Sequence, residues 1–319
     1  MTFTAALTAL VYGLIRSEPD GWGSTTVAGS LIAAAVLLTV FVVLELRTRA
    51  PMLDLGLLRV PTFDGGLIAA WAISASIFSL LTYIVLYLQN VLGASAIQTG
   101  LRLLPLTGAI FATAGFAGRL TGRVAIRWLI GPGFVLVGAG LLLMRGLTSG
   151  DSWTHLLPGL VVSGVGAGLI NVPLASTAVG VVEPARAGMA SGINSTLRQV
   201  GIATGVAALG SILASQVHNS VLSQVRRGPL AAHGAALAHA INNGAVAQVV
   251  ANTSVSLRGE VVHVARTAFV DGLNSILLIG AVISFCAAAL TIVLIRQRDF
   301  VGAQTGQPEP AEAAAAVSG

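Results

Sequence analysis

Long apolar runs separated by short polar breaks set the pattern of this chain from its first residues to about residue 295. Crossing about 30 Å of hydrocarbon at 1.5 Å per residue takes about 20 apolar residues in a helix. Eight segments meet or approach that length: 1–15, which is short, then 25–46, 65–89, 99–118, 128–146, 155–182, 187–215 and 268–295. The pattern predicts an all-α integral membrane protein of about eight transmembrane helices. Segment 155–182 contains Gly164, Gly166, Gly168, Asn171 and Pro173. In water these would argue against a helix; inside a bundle they permit close backbone contact and a kink, so it is read as one span. The opening MTFTAALTALVYGLI lacks a positively charged start and an A-x-A-like site, and so reads as the end of a membrane helix rather than a signal peptide.

Composition agrees, with 55% hydrophobic and 9% charged residues and a mean hydropathy of +0.87. The formal net charge of +5 rests on Arg alone, since the chain has no Lys. Arg47, Arg49, Arg59, Arg119, Arg123, Arg127, Arg186, Arg296 and Arg298 fall in short connections after even-numbered spans, while the alternate short connections hold only Arg16 and Arg145. That asymmetry predicts a plasma-membrane protein with the Arg-rich connections and both termini in the cytoplasm. Trp22 and Trp153 then sit at the outer edge and Trp128 at the inner edge, where interfacial anchors belong. No basic cluster interleaves with aromatics, so no nucleic-acid partner is expected; the expected partner is the lipid bilayer. Cys286 is the single cysteine, which excludes a disulfide framework and a Cys-based metal site.

Enzyme chemistry has no visible apparatus: H-E-x-x-H, G-x-S-x-G, G-x-x-x-x-G-K and facing carboxylate clusters are all absent from the sequence. One apolar segment does carry charge. In ASGINSTLRQVGIATGVAALGSI, residues 190–212, spacing every 100° puts Ser191, Asn194, Ser195 and Arg198 on one face, continued by Gly201, Gly205 and Ala208. Arg198 lies about 16 Å from the cytoplasmic end of its span, too deep to snorkel. A central Arg costs about 2.5–3.5 kcal/mol on insertion scales, so it should face the bundle interior or water. It either lines a substrate or proton pathway, or is a structural residue tied to backbone carbonyls or a buried acid. Asn171 and Gln89 are candidates for lining a cavity through hydrogen bonds. Asp64, Glu183 and Asp271 are the acids near spans, all close to interfaces, and Asp271 is the candidate for a proton-linked role. Residues 216–267 should form short surface helices on the outer face; their His218, His233, His239 and His263 match no ligand spacing, and no metal or cofactor is expected. The tail from Gln304 is Pro-, Ala- and Glu-rich and reads as disordered.

The turn GRLTGRVAIRW, residues 118–128, resembles the G-x-L-x-D-R-x-G-R-R loop of the major facilitator superfamily, with Gly122 in place of the Asp and Ala125 in place of a Gly. Together with PMLDLGLLRVPTF (51–63), YLQNVLGASAIQTGLRLLP (87–105) and LINVPLASTAVGVVEPARAGMASGINSTLRQVGIATGVAALGSI (169–212), the chain looks like the drug:proton antiporter branch with fourteen spans, in which two extra helices separate two six-helix halves. The resemblance implies a C-terminal portion of that fold. Residues 1–46 would be the inserted pair, 47–63 a cytoplasmic amphipathic connector, 64–299 the six-helix half with an extracytoplasmic loop at 216–267, and 300–319 a cytoplasmic tail. It implies proton-coupled efflux of small drug-like compounds, with Arg198, Asn194, Asn171 and Gln89 along the pathway and Gly118, Arg123 and Arg127 in a cytoplasmic gating loop. It further implies a missing N-terminal half, in the same full-length chain or a separate one, carrying the other cavity wall and most proton-carrying acids. A non-transporting scaffold or truncated product, a half-transporter needing a partner, and a channel remain the other readings.

Overall fold

The computed structural model describes residues 2–21, 23–47, 55–121, 123–225, 234–242 and 245–300. Ten helices make up the described chain: α1 Thr2–Asp20, α2 Thr25–Arg47, α3 Pro61–Val91, α4 Ala96–Leu120, α5 Arg127–Leu143, α6 Leu157–Gly180, α7 Ala187–Val225, α8 Gly234–Asn242, α9 Val246–Asn252 and α10 Arg258–Leu294. Short 3-10 turns flank several of them, and among the described residues there is no strand, only a lone bridge between Thr121 and Val124. All eight predicted spans are helices. Six are long and apolar enough to cross a bilayer, and two further apolar stretches, Thr4–Leu14 and Arg127–Leu143, are shorter.

Local chemistry sets the breaks between helices. Gly93 takes φ +67, a left-handed turn open to glycine, and ends α3. Two residues on, Ser95 starts α4 with a reciprocal cap: its Oγ accepts from the Gln98 amide at 3.3 Å, and Gln98 Oε1 accepts from the Ser95 amide at 3.2 Å. Pro61 opens α3, where a missing N–H costs nothing.

The long distal connection differs from expectation at both ends. Helix α7 runs on to Val225 and α10 begins at Arg258, so the predicted loop over 216–267 is shortened at each side. Val217, Val221 and Val225 continue an i, i+4, i+8 apolar stripe, and Val261, Val264, Ala265 and Ala268 do the same on α10; all are buried. Between them lie the short helices α8 and α9, as expected for this stretch. His233, Trp22, residues 48–54 of the 47–63 connector and the tail beyond residue 300 lie outside the described residues.

Glycines fix how closely the helices meet. On α6, Gly164 and Gly168 face the Leu106 and Ile110 carbonyls of α4, and Gly166 faces the Gly133 carbonyl of α5, so α6 is gripped from two sides. Helix α10 packs on α5, α7 and α3, and α1 packs on α2 and α7. Thr62 at the start of α3 meets Asp299 at 2.7 Å and the Leu294 and Arg296 carbonyls, while Phe300 lies on Gly180. The start of α3 and the ends of α6 and α10 therefore gather at one end of the bundle, called the Arg-rich end below. At the distal end, Asn274 of α10 accepts from the Gly146 and Leu147 amides at 2.9 and 3.2 Å and donates to the Leu147 carbonyl at 2.9 Å.

Candidate functional site

Arg198 lies on α7 eleven residues after Ala187, about 16 Å into the helix at 1.5 Å per residue. Its side chain is half-buried and its Nη2 donates to Oδ1 of Asn171 on α6. The Asn171 amide is itself oriented: Nδ2 donates to the Ala167 carbonyl one turn earlier at 2.9 Å, which leaves Oδ1 facing the guanidinium. A guanidinium carries five N–H donors, and among the described residues Asn171 is its acceptor. One turn before Arg198, Asn194 is buried at 7% exposure, whereas Ser191 and Ser195 are exposed. The structure thus brings Arg198 and Asn171 together at the α6–α7 contact, with Asn194 buried one turn earlier on α7.

The remaining candidates sit elsewhere. Gln89 lies in the last turn of α3 at the distal end, about 27 Å along that helix from Trp71, which is level with Gly201 beside Arg198. Asp271 is exposed on α10 and accepts from Ser220 Oγ at 2.7 Å; Ser220 is about 33 Å along α7 from Arg198. Gly118, Arg123 and Arg127 are exposed around the α4–α5 turn, closed by the Arg123 and Val124 amides donating to the Leu120 carbonyl at 3.0 Å. Arg127 covers the Trp128 ring at 5.6 Å, consistent with an interfacial pair.

A seam that sequence reasoning missed joins α3 to α7 beside Arg198. Helix α3 widens into π-helical turns at Ser74–Phe78 and Tyr87–Val91. At the first, Gly201 and Gly205 of α7 let its backbone approach the Trp71 and Ala75 carbonyls. Trp71 Nε1 donates to Thr204 Oγ1 at 3.1 Å, Ser79 Oγ to the Ile202 carbonyl at 3.2 Å, and Tyr83 Oη to the Val206 carbonyl at 2.5 Å. The signal was present as Ser74, Ser76 and Ser79 inside an apolar run, all buried. The Gly201 and Gly205 face is thus used for helix packing within this chain.

Comparison with known proteins narrows the family. The sequence profile of the Major Facilitator Superfamily matches residues 1–206. The chain belongs to the major facilitator superfamily. Among relatives, it is 35% identical over 215 residues to the multidrug resistance protein Stp of Mycobacterium tuberculosis, covering 67% of this chain and 40% of that protein. It is 29% identical over 326 residues to the tetracenomycin C resistance and export protein of Streptomyces glaucescens, covering 98% of this chain and 58% of that one. The chain therefore spans about half the length of such relatives, 40% and 58% in these two. Its fold is similar to the crystal structure of a bacterial homologue of the human lysosomal transporter Spinster, inward-facing and occupied, with a TM-score of 0.59 at 17% identity over 94% of this chain and 69% of that one. It is a multi-pass membrane protein of a bacterial transporter family.

Proposed function

We propose that this major facilitator chain forms the C-terminal portion of a proton-coupled exporter of small drug-like compounds, with the Arg-rich end and both termini in the cytoplasm. The observation that carries this reading is Arg198, a mid-span charge given one neutral acceptor. A structural arginine would be tied to carbonyls or an acid; a guanidinium with donors to spare at that depth calls for water or substrate beside it. Arg198, Asn194 and Asn171 then form one wall of a central cavity. Export fits the relatives, since the Stp, tetracenomycin and cephamycin proteins are named for resistance or export.

In this reading α1 and α2 are the inserted pair, residues 64–299 are the six-helix half, and Gly118, Arg123 and Arg127 belong to a cytoplasmic gating turn. A second six-helix bundle, in the same full-length chain or a separate one, covers the open side of α4. That side exposes Phe111 at 85% and Ile97 at 78%, and a Cβ at Gly100, Gly108 or Gly115 would meet nothing within 4 Å. Alternating access needs two such bundles about a midplane site.

The test grafts this chain in place of its matching 326 residues of the tetracenomycin C export protein and measures tetracenomycin efflux and resistance in cells. The graft should export. Arg198→Ala should abolish efflux while membrane levels stay unchanged. Export undiminished by Arg198→Ala would overturn the assignment of the cavity.

A further inference from the structure

At the distal end a cavity of about 410 Å³ opens between the last turn of α3, the short helices α8 and α9, and α10. Its volume is that of a small-ligand site, about 300–1,000 Å³. Ile241, Val250 and Phe269 supply apolar wall; Gln89, Asn90 and Arg266 supply the polar groups. Arg266 is the charged residue among those lining it, no carboxylate lines it, and among the described residues no acid pairs with that guanidinium. The cavity is remote from Arg198, because Gln89 is about 27 Å along α3 from Trp71. An apolar pocket lined by one guanidinium without an acid partner and by two carboxamides selects against cations and recognises an anionic head on an apolar body.

We propose that this distal cavity is a binding site for amphipathic anions. The apolar body lies against Ile241, Val250 and Phe269, and a sulfonate, phosphate or carboxylate head is held by the Arg266 fork, with Gln89 and Asn90 donating from their amides. Such an anion comes either from the membrane, as an anionic lipid headgroup, or from solution. The proposal concerns a second site and stands apart from any role of Arg198.

The full chain is reconstituted in phosphatidylcholine nanodiscs and titrated with radiolabelled decanesulfonate, with empty discs as background. Saturable binding is expected. Arg266→Glu should weaken it by about tenfold or more and should create binding of decyltrimethylammonium, an inversion that general loss of structure does not produce. Val250→Trp, which fills the pocket, should remove binding of either probe. Including phosphatidylglycerol in the discs identifies the source: competition with decanesulfonate marks a lipid headgroup, and no competition marks a soluble amphiphile, the site standing in both cases. No saturable binding above empty discs, or equal decanesulfonate affinity in the parent and Arg266→Glu, would overturn the proposal.

Discussion

Gly166→Ala is the sharpest test of how the bundle is held together. A Cβ at Gly166 would lie 2.5 Å from the Gly133 carbonyl oxygen, 2.7 Å from the Val137 amide nitrogen and 2.9 Å from Val137 Cγ2. The first two are backbone atoms of α5, so no rotamer change relieves them; the helices must separate. Overpacking of this kind costs about 1–3 kcal/mol. Alanine in place of glycine in a helix returns about 0.5–1 kcal/mol through backbone entropy, leaving a net loss of roughly 0–2.5 kcal/mol. Gly115→Ala on α4 isolates the second effect, because nothing lies within 4 Å of its Cβ position. Unfolding in mixed micelles titrated with SDS, followed by tryptophan fluorescence, should show Gly166→Ala unfolding earlier than the parent and Gly115→Ala unchanged or later. Equal midpoints for the two variants would refute the argument that α6 is positioned by backbone contact.

Three further outcomes follow from named contacts. Tyr83→Phe deletes the hydrogen bond to the Val206 carbonyl and should cost about 1 kcal/mol in the same titration, with the α3–α7 seam loosening. Asn274→Ala removes three bonds to the Gly146–Leu147 backbone and should cost about 1–3 kcal/mol, read as faster amide exchange at those two residues. The Thr148 amide, donating at 2.7 Å, holds the Asp151 carboxyl below the usual carboxylate range of about 3.9. With the folded value depressed, the stabilising contact is complete above the ordinary carboxylate range and is lost as pH falls through the folded value. The Asp151 side-chain carbon shift should titrate with a midpoint below about 3.9, and Asp151→Asn should erase the dependence on pH of the Thr148 amide shift.

The helices were legible because crossing a bilayer demands an unbroken apolar run, and that demand is written in sequence order. The pairing of Arg198 with Asn171 was half legible: each residue stood out as polar within a span, but only the α6–α7 packing shows that they meet. Gln89 was legible as a polar residue in an apolar run, but its surroundings were not. Its surroundings are made by α8 and α9, which return from about 150 residues later in the chain to cover the end of α3, and no local pattern announces that return. The π-helical turns of α3 were equally hidden. The first of them, Ser74–Phe78, accompanies the approach of Gly201 and Gly205 from another helix, which lies outside the window in which periodicity is read.

The placement of charge sets what this chain can contribute to a transport cycle. Arg198 is a cation about 16 Å into α7 from its Arg-rich end, and Arg266 is a cation at the distal cavity. Between Leu67 and Leu86 on α3, and throughout α4, α5, α6 and α7, the sequence has no Asp or Glu. The acids that do fall on the helices lie away from that level: Glu18 and Asp20 in the last turn of α1, Glu45 in the last turn of α2, Asp64 in the first turn of α3, and Glu260 and Asp271 on the distal part of α10. No carboxylate of these helices therefore stands at the depth of Arg198 to hold a cationic compound or to exchange a proton with it. Arg198 can attract an anionic or strongly polar group, or lower the proton affinity of an acid brought opposite to it. If coupling to protons takes place at the level of Arg198, the acid comes from chain beyond these helices, and its pKa falls on approach to the guanidinium. On the proposed reading, closure of the two bundles would bring that acid to the guanidinium that Asn171 orients, tying proton release to closure.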